Sequence, residues 1–223
     1  MLANEWWAVI RSYNERIFPM QLIAMLAIMT LAYLLLWKPS RTMSKVFKAY
    51  FGITNFWIGI GFFVLLGEGF KPPLNYSQGF LFVSIGALWL SDLYFDHLKL
   101  EKLAERKNRW VYTALLSILW LYPVIGLLRG EGMPSIILPG TLPCPTTAVG
   151  LVVLMAVLPQ RKRLLSMLML VWAIPFPPLI QIPKYGVVED GLMFLMGLIM
   201  LVLWVRVEIM EWKSKRQLAE VVS

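Results

Sequence analysis

The sequence predicts an all-α integral membrane protein, and three observations carry that expectation. Of 223 residues, 59% are apolar and only 15% charged, whereas soluble domains hold nearer about a quarter charged residues. The mean hydropathy is +0.68, so the apolar surface is too large for one water-soluble core. Apolar runs of bilayer-spanning length also recur along the chain, and Lys and Arg collect in alternate connections between them.

The remaining composition narrows the function classes. A net charge of +8 in a membrane chain reads as a topology signal in cytoplasmic loops, so nucleic acid is not an expected partner. Cys144 is the one cysteine and His97 the one histidine. An intramolecular disulfide and a thiol-built metal site are therefore excluded, and neither a metal nor a cofactor is expected. The start Met1-Leu2-Ala3-Asn4-Glu5 has no basic stretch and the first apolar run lies too far in, so a cleaved signal peptide is not expected.

In chain order, residues 1–16 set Trp6, Ile10, Tyr13 and Ile17 on one helical face, with Glu5, Arg11, Ser12 and Glu15 elsewhere. That pattern predicts a short amphipathic helix in the headgroup region, anchored by Trp6 and Trp7. The uncharged run Ile17 to Trp37 is long enough to span roughly 30 Å of hydrocarbon. Runs of spanning length follow at about Val46 to Leu66, Gly79 to Phe95, Trp110 to Leu128, Leu164 to Ile182 and Gly191 to Val207. The run from Pro145 to Leu158 has 14 residues, only about 21 Å of helix. It predicts a broken fifth segment whose crossing is completed by the chain before Cys144, with residues 134–147 dipping into the outer leaflet and turning back.

Sixteen Lys and Arg fall in residues 38–48, 96–109 and 159–163 and in the C-terminal region, against five (Arg11, Arg16, Lys71, Arg129, Lys184) on the other side. Basic loops are retained in the cytoplasm. The expected topology is seven transmembrane helices, N-terminus outside and C-terminus inside: an interfacial helix over 1–16, a transmembrane domain over 17–207 and a cytoplasmic tail over 208–223. Twelve of the fourteen prolines sort to the outer side, all but Pro39 and Pro159. Proline ends or kinks helices, so irregular backbone and any site are expected to face outward.

The stretch Leu138-Pro139-Gly140-Thr141-Leu142-Pro143-Cys144-Pro145-Thr146-Thr147 concentrates those breaks. Pro145 suits a first helical position, and Thr146 and Thr147 place hydroxyls beside unpartnered first-turn N–H groups, a polar-group site. The plainer reading is a proline-shaped loop with Cys144 as a small buried hydrophobe. Pro143, Cys144, Pro145, Thr146 and Thr147 are the candidate cavity residues, with Asn55 and Gln21 as further polar candidates; these two, with Thr30 and Tyr33, otherwise pair across helices.

Asp92, Asp96 and His97, at the inner end of the third segment, are candidates for a proton or ion site, against the plainer reading of solvated charges at a basic boundary. Glu68 closes the second segment, and Glu189 and Asp190 precede the last, where acids favour a helix N-terminus. Met193, Met196 and Met200, and Met20, Met25 and Met29, read as packing in preference to a Cu(I) path.

Ser12-Tyr13-Asn14 followed by Ile17-Phe18-Pro19-Met20-Gln21, and then Leu142-Pro143-Cys144-Pro145-Thr146-Thr147 before a short apolar helix, resembles the DUF6064 family of bacterial multi-pass membrane proteins. Phe18 stands where that family's first motif has Trp. The resemblance covers most of the chain and implies a multi-pass protein of the bacterial plasma (inner) membrane. It carries no mechanism.

No P-loop, HExxH or Gly-x-Ser-x-Gly motif is present, so an enzyme is not expected. Two function classes remain. One is a small transporter- or channel-like protein with an outward site near the Pro-Cys-Pro turn and a small-molecule ligand. The other is a non-catalytic membrane subunit or scaffold that docks a partner membrane protein through an outer Trp/Pro-rich face. The lipid bilayer is the partner common to both.

Overall fold

A computed structural model describes residues 2–66, 73–105, 108–160 and 162–222. Glu68, Lys71, Pro72, Arg106, Lys107 and Arg161 lie outside the described residues. Among those described, the chain is helical and forms no strand. Helix α1 (Ala3–Ile17) is followed by α2 (Met20–Trp37), α3 (Arg41–Phe56) with a π-helical continuation over Trp57–Leu66, and α4 (Leu74–Phe95). Next come α5 (Arg109–Ile118) and α6 (Leu121–Leu128), nearly continuous, then α7 (Pro143–Val157) and α8 (Arg163–Ala173). A π-helical turn over Pro177–Gln181 leads into α9 (Ile182–Tyr185), and α10 runs from Asp190 to Val222.

Among the described residues six helical stretches are long and apolar enough to cross a membrane: Met20–Trp37, Arg41–Leu66, Leu74–Phe95, Arg109–Leu128, Arg163–Tyr185 and Asp190–Gln217. The expected broken fifth segment falls on α7, a shorter apolar helix. Helix α7 is too short, and it is not built to meet lipid. Every one of its residues from Pro143 to Val157 is buried, against α10, α8, α5 and α2 among its neighbours. A helix apolar on all sides belongs inside a bundle, and its length of about 22 Å need not match a bilayer when protein surrounds it. The helix opens at Pro143, one turn-position pair ahead of the expected Pro145. The last helix also runs on through residues 208–222, expected as a tail.

Glycines set the approach of α3 to α4. Gly52 lies opposite Gly86, and Gly59 opposite Gly79, each pair seven residues apart along its own helix. A Cβ on Gly59 would stand 2.7 Å from the Gly79 carbonyl oxygen, and one on Gly86 2.8 Å from the Gly52 oxygen. Small residues that let backbones close on each other are the usual contact where lipid supplies no hydrophobic drive. The same register brings Lys48 of α3 beside Asp92 of α4 at the far end.

The prolines of the eighth helix produce a local rearrangement in place of a stop. Pro177 and Pro178 lack backbone donors, and the chain passes through π-helical turns before ending at Gly186, whose φ of 71° is left-handed. Trp172 and Phe176 stack at 4.2 Å across this break.

Gly59→Ala is expected to destabilise the protein by about 1–3 kcal/mol through overpacking against α4. Gly132→Ala, whose Cβ would meet only Pro134 Cδ at 3.8 Å, is expected to stay within about 0.5 kcal/mol. Thermal unfolding of the two variants in one detergent checks the difference.

Candidate functional site

Between α6 and α7 the chain runs through a buried irregular stretch, Ser135 to Leu142. Its peptide groups are away from water and need partners. Helix α1 supplies several. Asn14 Nδ2 donates to the carbonyls of Pro134 (2.9 Å) and Ile136 (3.0 Å), Tyr13 Oη donates to the Thr141 carbonyl at 3.0 Å, and Arg11 Nε donates to Ser135 Oγ at 3.3 Å. Trp57 Nε1 donates in turn to Tyr13 Oη at 2.7 Å. Burial pushes the Tyr13 phenol above its ordinary value, so the hydroxyl keeps the proton it donates. From the other side, Thr146 Oγ1 accepts from Gly140 N (2.8 Å) and donates to the Leu142 carbonyl (2.6 Å). Gly140 has φ +98°, and a Cβ there would lie 2.8 Å from the Ala24 carbonyl of α2; only glycine fits both constraints.

Above this turn lies a cavity of ≈ 320 Å³. Its floor is Leu142, Pro143, Cys144 and Pro145, and α1 roofs it with Trp6 and Ile10. Phe62 and Phe63 wall one side, with Leu74 and Gln78 of α4. Trp172, Phe176, Ile180, Gln181, Lys184 and Tyr185 wall the other, and Asp190 opens α10 at its edge. Trp6 stacks on Tyr185 at 5.4 Å, and Trp7 Nε1 donates to the Tyr185 carbonyl at 3.0 Å. The expected lipid-facing face of α1 is thus spent on protein: Trp6, Ile10, Tyr13 and Ile17 are all buried, because the irregular stretch needs a cover that can hydrogen-bond.

The polar groups of the cavity are sparse and poorly matched. Both carboxylate oxygens of the buried Asp190 lack a hydrogen-bond partner, as do Gln78 Oε1, Gln181 Oε1 and Trp172 Nε1. The Cys144 thiol and Tyr122 hydroxyl stand beside the carboxylate. The adjacent Glu189 is treated differently. Its Oε2 meets Arg129 Nη1 at 3.3 Å, and Arg129 also donates to the Gly186 carbonyl at 2.8 Å and lies 3.6 Å from Glu131. Burial raises the Glu189 carboxyl while Arg129 opposes that rise.

At the opposite end of the bundle, Asp92 is buried and fully engaged. Its oxygens accept from the backbone N–H groups of His97 (3.0 Å) and Leu98 (3.1 Å) and face Lys48 Nζ at 2.9 Å. Lys48 is itself fully buried and also meets Asp96 at 2.8 Å. That bond holds the Asp96 carboxyl below the ordinary carboxylate range. Lys162 donates to the Leu88 carbonyl (2.8 Å) and Ser91 Oγ (2.7 Å); burial pulls its ammonium below the usual lysine value, against the pull of Asp92.

Of the candidate cavity and ion-site residues named from the sequence, Pro143, Cys144 and Pro145 line the cavity. Thr146 fastens the turn beneath it, and Thr147 is buried with an unpartnered hydroxyl. Asn55 is spent on the Phe51 carbonyl of its own helix at 2.7 Å, and Gln21 is buried away from the cavity. Tyr33 does pair across helices, with Ser117 at 2.9 Å. Asp92 is not a solvated boundary charge but the centre of an ion-pair knot, with Asp96 and the exposed His97 at its rim. Met193, Met196 and Met200 are core residues. Among the described residues no group of three or more His, Cys, Asp and Glu is placed to hold a metal ion. Asp190, Gln181 and Trp172 were legible only as a helix-start acid and as members of a proline-broken segment.

A family model described as a family of unknown function (DUF6064) matches residues 3–215, nearly the whole chain. No curated protein and no solved structure matches.

Asp92→Asn is expected to cost about 3 kcal/mol, because it leaves the buried Lys48 with one half-exposed partner. Adding Lys48→Met is expected to recover part of that loss. Unfolding midpoints of the single and double variants check this, and binding at the distant cavity is expected to be unaffected.

Proposed function

For a chain that belongs to the DUF6064 family, we propose a role as a multi-pass membrane protein that binds, and in a transport cycle moves, a small and mainly apolar molecule taken from the outer face. The observation that carries this reading is the cavity of ≈ 320 Å³ between α1, the Pro-Cys-Pro turn and the proline-broken end of the eighth helix. Its volume falls at the lower end of the range of about 300–1,000 Å³ for small-molecule pockets, which are mostly apolar with few polar groups.

The sidedness rests on the excess of Lys and Arg in the connections at the Asp92 end. With that end in the cytoplasm, α1, the irregular stretch and the cavity face outward. The seventh crossing is then made by residues 134–142 together with α7, which packs against α10, α8, α5 and α2. Below the cavity the way inward is closed: a Cβ on Gly150 would stand 2.6 Å from Phe51 Cζ. In a transport cycle passage requires α7 to shift against α3 and α8, whose Phe51 and Met169 press on Gly150. Docking of a partner through an outer Trp/Pro-rich face has less support, since Trp6 is buried and Trp7 is engaged by Tyr185.

Gentle extraction of the intact protein followed by native mass spectrometry is expected to find a small apolar molecule bound one to one. Gln78→Trp, which places a larger ring on the cavity wall, is expected to lose it while the fold is kept. Identical spectra for the two proteins would contradict the reading.

A further inference from the structure

The cavity carries an imbalance that points beyond a merely apolar ligand. Asp190 is 1% exposed and lines the cavity, and neither of its carboxylate oxygens has a partner. A buried carboxylate in that condition is costly unless something compensates it. Elsewhere the protein does compensate: Asp92 has Lys48 and two backbone N–H groups, and Glu189, next in sequence to Asp190, has Arg129. Among the described residues no cation pairs with Asp190. Lys184 lines the same cavity, but its side chain is exposed and its Nζ lies 5.4 Å from the Tyr185 ring centroid.

The other unpartnered groups lean the same way. Gln78 and Gln181 each leave a buried carbonyl oxygen without a donor, and Trp172 Nε1 is left without an acceptor. Among these buried unpartnered oxygens and nitrogens acceptors outnumber donors, around a space lined by several aromatic residues. Ring faces attract cations, and the attraction strengthens where water is excluded. A carboxylate, amide oxygens and aromatic faces around an apolar space together form a receptor for an ammonium group on an apolar body.

We propose that the cavity binds a monocationic amphiphilic amine, its ammonium on Asp190 and its apolar body among Trp6, Phe62, Phe63, Trp172 and Phe176. This rests on the reading of the cavity as a small-molecule site and deepens it by naming the ligand's charge.

The test compares three probes of one shape, phenylbutylammonium, phenylbutanol and phenylbutanoate, titrated by calorimetry into the full chain in nanodiscs of zwitterionic phosphatidylcholine. Empty nanodiscs correct for partition into lipid. The wild-type protein is expected to bind the ammonium about ten-fold or more tighter than the alcohol, with the carboxylate weakest. Asp190→Asn is expected to erase the preference for the ammonium over the alcohol, and Glu189→Gln is expected to keep it. An alcohol bound as tightly as the ammonium, or a carboxylate bound more tightly, overturns the cationic assignment and leaves the small-molecule site standing. Failure of all three probes to saturate the protein removes the site itself. If Asp190→Asn does not accumulate, the wild-type ranking alone decides.

Discussion

The structure depends on one constraint: a peptide stretch buried away from water must find hydrogen-bond partners inside the protein. Residues 136–142 are buried without forming a helix before α7 opens, and side chains from far along the chain meet their backbone. Asn14 and Tyr13 reach the stretch from α1, and Thr146 clasps it from α7. The Ser12-Tyr13-Asn14 and Pro-Cys-Pro-Thr motifs, far apart in the chain, fasten the same stretch from two sides. Because α1 must lie across the stretch to bond it, α1 also roofs the space above the turn, and the cavity follows from the same requirement.

Among the described residues, the buried carboxylates of Asp92 and Glu189 are held by ion pairs and that of Asp190 is not. The Lys48–Asp92 pair lies at the end of the α3–α4 contact, in the register that Gly52, Gly59, Gly79 and Gly86 impose. Two backbone N–H groups complete the coordination of Asp92. A buried pair is sustained only when its remaining valences are filled, and here they are. Arg129 does similar work for Glu189 while joining the end of α6 to the turn before α10. Asp190 stands outside both networks, on the wall of the cavity.

Much of the fold was legible in the sequence because length and hydropathy are local properties. The six long helices follow the apolar runs, and the shortness of the run after Cys144 correctly marked α7 as different. That α7 is surrounded by protein follows from the sum of its neighbours and could not be read from its own residues. The apolar face of α1 is equally suited to lipid and to protein, and only Tyr13 and Asn14, polar groups on that face, hinted at a backbone to be bonded. Asp92 looked like a helix-end charge because Lys48 is 44 residues away and the glycine register that joins them is a pairwise property. Asp190 was read as an acid at a helix start, which it is; its exposure to a cavity is set by α1, α4 and the proline break together.

Cys144, the one cysteine in the chain, sits on the cavity floor with 5% of its surface exposed, so its labelling reports directly on the central claim of an outward, narrow cavity above a closed core. In right-side-out membrane vesicles, a small neutral thiol reagent added from outside is expected to modify it, while a bulky charged maleimide is not. Rapid labelling by the bulky reagent, or labelling by the small one only from the cytoplasmic side, would contradict the account.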